Sequence, residues 1–291
     1  MRTAVVINPT SVADVERVRA DVGEALAAAG CPEPLWSRTS ANDPGHGQTR
    51  AAIAAGAEVV FACGGDGTVR ACADQLAGTP VALAVLPAGT GNLFVANLGL
   101  PTDVKSCIDT VVTGRRRLID LGCSEGHHFT LMTGMGFDAA MMAATPASWK
   151  RRLGWPAYLL GGLRRVFDRP MRVRIALDGQ PPIARTARTV LVANMGRLQG
   201  GIDLFGDAEP DDSLLNVAVI APRGPRDWLS MAAAVFSRRP PGPRPVETFR
   251  VSTVDVLSTG AQPRQIDGDP IEPSERLTAT VRPRMLWVCV P

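Results

Sequence analysis

The sequence has no apolar stretch approaching the roughly 20 residues needed to cross a bilayer, so any membrane association is expected to be peripheral. Its six cysteines (Cys31, Cys63, Cys72, Cys107, Cys123 and Cys289) include no C-x-x-C pair. They read as reduced, buried small hydrophobes of a cytosolic protein. There is no G-x-G-x-x-G dinucleotide fingerprint, and no nucleophile elbow supports Ser/His/Asp hydrolysis. His46, His127 and His128 lack partners at metal-ligand spacing and read as surface residues. The first residues run directly into Thr3-Ala4-Val5-Val6-Ile7-Asn8, a first strand and too short for a signal h-region. No internal repeat or long low-complexity tract is present, and Pro240, Pro241, Pro243 and Pro245 mark a stiff basic loop.

What is present is ordinary globular material: 291 residues, 45% hydrophobic and 20% charged. That length suits one or two domains with a large core. The first 120 residues alternate apolar strand and amphipathic helix. Strands are expected at 4–7, 59–63 and 81–86, with helices at 12–29, 69–76, from Asn92 and at 104–113. This is the rhythm of a parallel sheet covered on both faces. From about Arg117 the pattern changes to strand-like runs between turns, at 118–122, 171–177, 189–193, 214–220, 248–257 and 286–290. An antiparallel sandwich or barrel is expected there, interrupted by one helix near 147–167.

Chemistry is concentrated where two of the early strands end. Gly64-Gly65-Asp66-Gly67-Thr68 follows an apolar strand and opens a helix. Glycines let the backbone approach a ligand, and a helix N-terminus offers free N–H groups and a favourable dipole to phosphate. Asp66 beside phosphates calls for a cation such as Mg²⁺. A plain tight turn with Asp66 as a helix cap is the competing reading. A second loop, Pro87-Ala88-Gly89-Thr90-Gly91-Asn92, follows the next strand. Two such loops at the carboxyl ends of parallel strands face one crevice, the binding place of open α/β sheets.

Charge divides the same way. Residues 1–120 hold 10 Lys/Arg against 12 Asp/Glu, and 121–291 hold 21 against 16. The excess clusters between Lys150 and Arg174, interleaved with Trp149, Trp155, Tyr158 and several leucines. A basic face beside an aromatic one suits an anionic membrane surface, although a core-packed helix with solvated arginines fits the pattern equally. A net charge of +3 and the lack of a binding module argue against nucleic acid.

In order along the chain, Gly64-Gly65-Asp66-Gly67-Thr68, Leu86-Pro87-Ala88-Gly89-Thr90-Gly91-Asn92 and Asn97-Leu98-Gly99-Leu100-Pro101 resemble the signatures of the diacylglycerol kinase catalytic family, which includes sphingosine and ceramide kinases. Asn8-Pro9-Thr10-Ser11 resembles the family's opening nucleotide loop. Gly134-Met135-Gly136-Phe137-Asp138-Ala139, Gly200-Gly201-Ile202, Pro210-Asp211-Asp212 and Asp267-Gly268-Asp269 resemble its later motifs.

The resemblance implies a phosphofructokinase-like α/β nucleotide domain over 1–120 and a β-rich lipid domain of antiparallel sandwich type over 121–291, with the active site in the cleft between them. It implies ATP-dependent phosphorylation of a lipid hydroxyl, diacylglycerol to phosphatidic acid, with Mg²⁺, in a cytoplasmic enzyme of phospholipid biosynthesis that visits the inner membrane face. The nucleotide-binding positions it marks are Asn8, Pro9, Thr10, Ser11, Thr39, Gly64, Gly65, Asp66, Gly67, Thr68, Val69, Arg70, Gly89, Thr90, Gly91 and Asn92. Asp66 and Asp269 are the catalytic expectations, with Asp269 standing where the family has a glutamate as proton acceptor. Without the family, Asp267-Gly268-Asp269 reads as a hairpin turn with two solvated acids. Some soluble members hold a structural Mg²⁺, which would fall to Glu209, Asp212 and the Leu214 carbonyl, with Ser213 replacing a usual glycine. Val69-Arg70-Ala71 replaces the usual Asn-Glu after Thr68, and the opening loop lacks the glycine that often follows its serine. Two other readings stay open: an NAD kinase, which shares Gly-Gly-Asp-Gly, and a nucleotide- or lipid-binding module that has lost catalysis. The oligomeric state is not set by the sequence, a homodimer being one option.

Overall fold

The computed structural model describes residues 1–89, 91–136, 170–197, 204–206, 208–224, 226–227, 230, 233 and 245–291. They form two compact units, Met1–Leu121 with Pro283–Pro291, and Gly122–Arg282.

The first unit runs β1 (Thr3–Ile7), α1 (Val15–Ala28), β2 (Leu35–Arg38), α2 (His46–Ala54), β3 (Val59–Gly64), α3 (Asp66–Leu76), β4 (Ala82–Pro87), α4 (Leu93–Leu98), α5 (Val104–Thr113) and then β5 (Arg115–Ser124), which leads out of it. β4, β3, β1 and β2 are parallel neighbours in that order. Strands β1 and β3 are buried throughout and apolar apart from Thr3, as expected for a sheet covered on both faces. Val5, Ile7, Val59, Phe61, Ala84 and Leu86 pack on one side against Val22 and Leu26 of α1 and Cys107 and Ile108 of α5. α1 starts at Val15 rather than Val12 because Asp14 is its N-cap, accepting the Arg17 N–H at 2.9 Å.

The second unit holds β6 (His127–Phe129), β7 (Met132–Gly136), β8 (Met171–Leu177), β9 (Ile183–Ala187), β10 (Thr189–Ala193), β11 (Leu215–Ile220), β12 (Val246–Val251), β13 (Thr253–Ile266) and the greater part of β14 (Asp269–Val290). One antiparallel layer runs β12-β11-β10-β7, and β9-β8-β13 with β14 forms the other. β13 belongs to both: residues 254–258 pair with β8, while Arg264, Gln265 and Ile266 pair with β7 after two register shifts. Bulges of this kind bend a strand from one sheet into another. Val190, Val192, Val217 and Val219 of one layer meet Val173, Ile175, Val254 and Val256 of the other in a dry core. This is the expected β-sandwich.

Two boundaries differ from the sequence reading. The run 248–257 is two strands, because Ser252 turns the chain. The Asp178 carboxylate fixes that turn by accepting the Ser252 and Thr253 N–H groups at 2.9 and 2.8 Å. Burial pushes the Asp178 carboxyl up, but these hydrogen bonds outweigh it and hold the group below its usual range. The last residues also return to the first unit instead of closing the second. Val288 pairs with Leu83 of β4, Met285 O accepts the Gly78 N–H at 2.7 Å, and Asp120 accepts the Arg284 N–H at 2.7 Å. Leu286 and Val288 are fully buried there, so a fifth parallel strand covers the open side of β4.

Candidate functional site

Four of the predicted segments begin where four neighbouring parallel strands end. Register aligns Ile7 of β1 with Arg38 of β2 and Cys63 of β3, and Cys63 with Leu86 of β4. The loops starting at Asn8, Thr39, Gly64 and Ala88 therefore share one edge of the sheet, the carboxyl edge at which α/β proteins bind ligands.

Asn8 organises this edge. Its N–H donates to Cys63 O at 2.8 Å, and its Oδ1 accepts both the N–H and the hydroxyl of Thr10, at 3.0 and 2.8 Å. Its amide nitrogen reaches Thr68 Oγ1 at 3.4 Å, tying the opening loop to the start of α3. Thr39 is buried, and its N–H donates to Ile7 O at 2.9 Å.

The two glycine loops touch one another. The Ala88 N–H donates to Gly64 O at 3.0 Å. A Cβ on Gly89 would fall 2.6 Å from Gly65 Cα, and one on Gly64 would fall 2.6 Å from Thr68 Oγ1. Nothing larger than hydrogen fits at either point. Gly67, by contrast, has open space where its side chain would be. Among the described residues no side chain caps the N-terminus of α3, a helix end whose first N–H groups suit an anion. Asn92, in the left-handed region at φ 44°, accepts the Gly89 N–H at 3.2 Å and closes the second loop.

Asp66 does more than the sequence suggested. Its Oδ1 accepts the Phe94 N–H at 3.2 Å, so it caps α4 from the neighbouring loop. Burial pushes its carboxyl up, against the lowering pull of the Phe94 and Leu93 amides. Val69 turns its side chain into the core, leaving only its backbone for a ligand, while Arg70 is half-buried. Cys63 is inert, its thiol pushed up to about 12 by burial and then by Cys107.

In the second unit, Ile266 pairs with Asp269 across a two-residue turn in which Asp267 and Gly268 both have positive φ, 48° and 88°. This Asp-Gly hairpin fits the type I′ geometry that matches strand twist. Asp269 is exposed. Asp267 is not the solvated acid of the simple hairpin reading. Its carboxylate accepts the N–H groups of Thr130, Leu131 and Met132 at 2.8, 2.9 and 2.8 Å and the Thr130 hydroxyl at 3.0 Å. The turn carrying Asp269 is thereby fastened to the start of β7. Asn194, at the end of β10, donates to Thr130 O at 3.3 Å and joins the same polar end of the sandwich.

At the Glu209–Asp212–Leu214 set, the structure shows contacts of Asp212. Asp212 Oδ1 accepts the Leu214 N–H at 2.9 Å, and its Oδ2 is held by Arg250. Among the described residues, no group of three or more His, Cys, Asp or Glu side chains is placed to hold a metal. Thr90, Phe137-Asp138-Ala139, Gly200-Gly201-Ile202 and the basic aromatic stretch 147–167 lie outside the described residues.

The described residues thus form a parallel α/β unit with a glycine-rich edge and an antiparallel sandwich. Residues 2–124 match the model of the diacylglycerol kinase catalytic domain, and residues 132–290 match that of the YegS C-terminal NAD kinase beta sandwich-like domain. The chain belongs to the diacylglycerol kinase catalytic family. It is 31% identical over 218 residues to a diacylglycerol kinase of Mycobacterium tuberculosis (strain ATCC 25618 / H37Rv), covering 72% of this chain and 70% of that protein. Against the diacylglycerol kinase of Bacillus subtilis (strain 168) the identity is 28% over 237 residues, 79% of this chain and 77% of the relative. The structure of a diacylglycerol kinase from Bacillus anthracis str. Sterne superposes with a TM-score of 0.75 at 19% identity, covering 100% of this chain and 97% of that one. An NAD kinase from Archaeoglobus fulgidus in complex with ATP superposes at 0.56 with 14% identity, over 99% and 93% of the two chains. At these identities the two superpositions speak for the fold alone.

Proposed function

We propose that this lipid kinase uses ATP to phosphorylate the free hydroxyl of diacylglycerol, giving phosphatidic acid. The observation that carries the reading is the convergence of Asn8, Gly64, Gly65, Thr68 and Gly89 on one sheet edge, where the two glycine loops press together and the start of α3 keeps open space at Gly67. In the reaction the acceptor oxygen bonds to the γ-phosphorus, the bond from that phosphorus to the β–γ bridging oxygen breaks, and ADP leaves. The hydroxyl proton passes to Asp269, whose turn is fastened by the Asp267 clamp. Asn8 and Thr10 serve the nucleotide by hydroxyl and amide contacts, and Thr39, Thr90 and Arg70 are assigned to the same ligand.

Mg²⁺ suits the first unit. Asp66 is a half-buried carboxylate whose neutral form is favoured by desolvation, and a cation arriving with the phosphates would relieve that cost. Asp66 would help hold such an ion, which would supply charge neutralisation for the phosphates. Among the described residues no helix is long and apolar enough to cross a membrane. Access to a bilayer-resident acceptor is therefore assigned to peripheral docking of residues 149–167 on anionic lipid at the cytoplasmic face.

Incubation with labelled ATP and either dispersed diacylglycerol or NAD tests the reading. Label in phosphatidic acid is expected. Label in NADP would make the chain an NAD kinase, and ATP binding without turnover across a panel of lipids would make it a binding module.

A further inference from the structure

The cation site that the family resemblance implies at Glu209, Asp212 and Leu214 is already filled by a side chain. Asp212 has both carboxylate oxygens engaged, Oδ1 by the Leu214 N–H at 2.9 Å and Oδ2 by Nη2 of Arg250. Arg250 is delivered by the sheet itself. It lies on β12, the last strand of its layer, opposite Asn216 of β11, and β11 begins one residue after Leu214. Ser213 holds the turn in the left-handed region at φ 62°, and across it the Leu214 N–H donates to Asp212 Oδ1. Mg²⁺ demands about six oxygen ligands in tight octahedral array. A guanidinium fixed on the same carboxylate offers only donors and repels a dication.

We propose that Arg250 is the resident cation of this turn, doing by a charge-assisted hydrogen bond what a divalent metal does elsewhere: it binds the acidic turn to the edge strand β12. The guanidinium is always protonated and cannot be dialysed away, so the sandwich of this protein is independent of divalent metal. The inference concerns only the second unit and holds whichever acceptor the enzyme phosphorylates.

Thermal unfolding of the full chain without nucleotide tests it, with metal content measured after dialysis against a chelator. The wild-type Tm is expected to be the same in chelator and in millimolar Mg²⁺, with no metal retained. Arg250→Ala should lower Tm by about 2 to 4 °C, make it rise again with added Mg²⁺ as Asp212 becomes free, and Arg250→Lys should recover part of the loss without metal. A Mg²⁺-dependent rise of the wild-type Tm that Asp212→Asn abolishes would overturn the proposal, as would an Arg250→Ala protein with unchanged Tm. If Arg250→Ala does not fold, the wild-type metal titration and its Asp212→Asn control decide alone.

Discussion

Asp66 Oδ1 and the Phe94 N–H lie 3.2 Å apart, although 28 residues separate them in the chain. One carboxylate thus opens the helix of the first glycine loop and caps the helix of the second, and the two loops keep their spacing because of it.

This dual role separates two substitutions. Asp66→Asn keeps an acceptor for Phe94 while removing the charge, so the fold should hold and turnover should fall at least about a hundredfold. Asp66→Ala should also lower stability by about 1 to 2 kcal/mol, the cost of an unsatisfied buried N–H. Steady-state kinetics beside thermal melts of both variants checks this. Near-normal activity in a folded Asp66→Asn would remove Asp66 from the phosphate site.

The glycines divide by the space around them. Gly89→Ala places a methyl against Gly65 Cα and should cost about 1 to 3 kcal/mol of stability. Gly67→Ala meets nothing and should be neutral or stabilising by up to about 1 kcal/mol, yet it should weaken ATP binding, since its methyl would enter the cradle. Calorimetric titration of ATP into Gly67→Ala decides the matter. Wild-type affinity there would mean that phosphate does not approach the start of α3.

For Asp269→Asn, kcat should drop about 10² to 10⁴-fold with ATP affinity unchanged, because loss of a base is felt in the transition state. Asp269→Glu, which restores the family's residue, should remain active. Parallel losses in kcat and ATP binding for Asp269→Asn would mark a structural acid.

Asp267→Ala removes the acceptor of four hydrogen bonds at once and should destabilise the second unit by about 2 to 4 kcal/mol. Denaturant melts give the number. A loss below about 0.5 kcal/mol would show that the Thr130–Met132 backbone finds water instead.

Replacing Arg151, Arg152, Arg164 and Arg165 with glutamine should reduce binding to anionic vesicles and activity on bilayers, each charge contributing up to about 1 kcal/mol at low salt. Activity on a short-chain, dispersed diacylglycerol should change little. Vesicle binding that stays at the wild-type level would return this stretch to the core-packed helix reading.

The glycine cradle was legible because β3 is uninterrupted apolar residues and its exit is written locally in Gly64 to Thr68. β2 and α2 were not. Leu35 to Arg38 is a short, largely exposed edge strand without alternation, and α2 starts at Gly45, φ 144°, without a side-chain cap. The role of Asp267 was hidden for another reason: its partners are 135 to 137 residues away, and only the Asp-Gly pair betrayed the turn. The Arg250–Asp212 contact spans 38 residues, so no spacing rule could have favoured the guanidinium over a metal.

The return of residues 283–291 to the first unit gives assembly a direction in time. As the chain leaves the ribosome, the parallel sheet is nearly complete once β4 and α5 have emerged, but the β4 edge beside Leu83 stays open until β14 is made. The whole sandwich is synthesised in that interval. A nascent or truncated chain ending near residue 282 would carry an unpaired parallel edge able to recruit another chain.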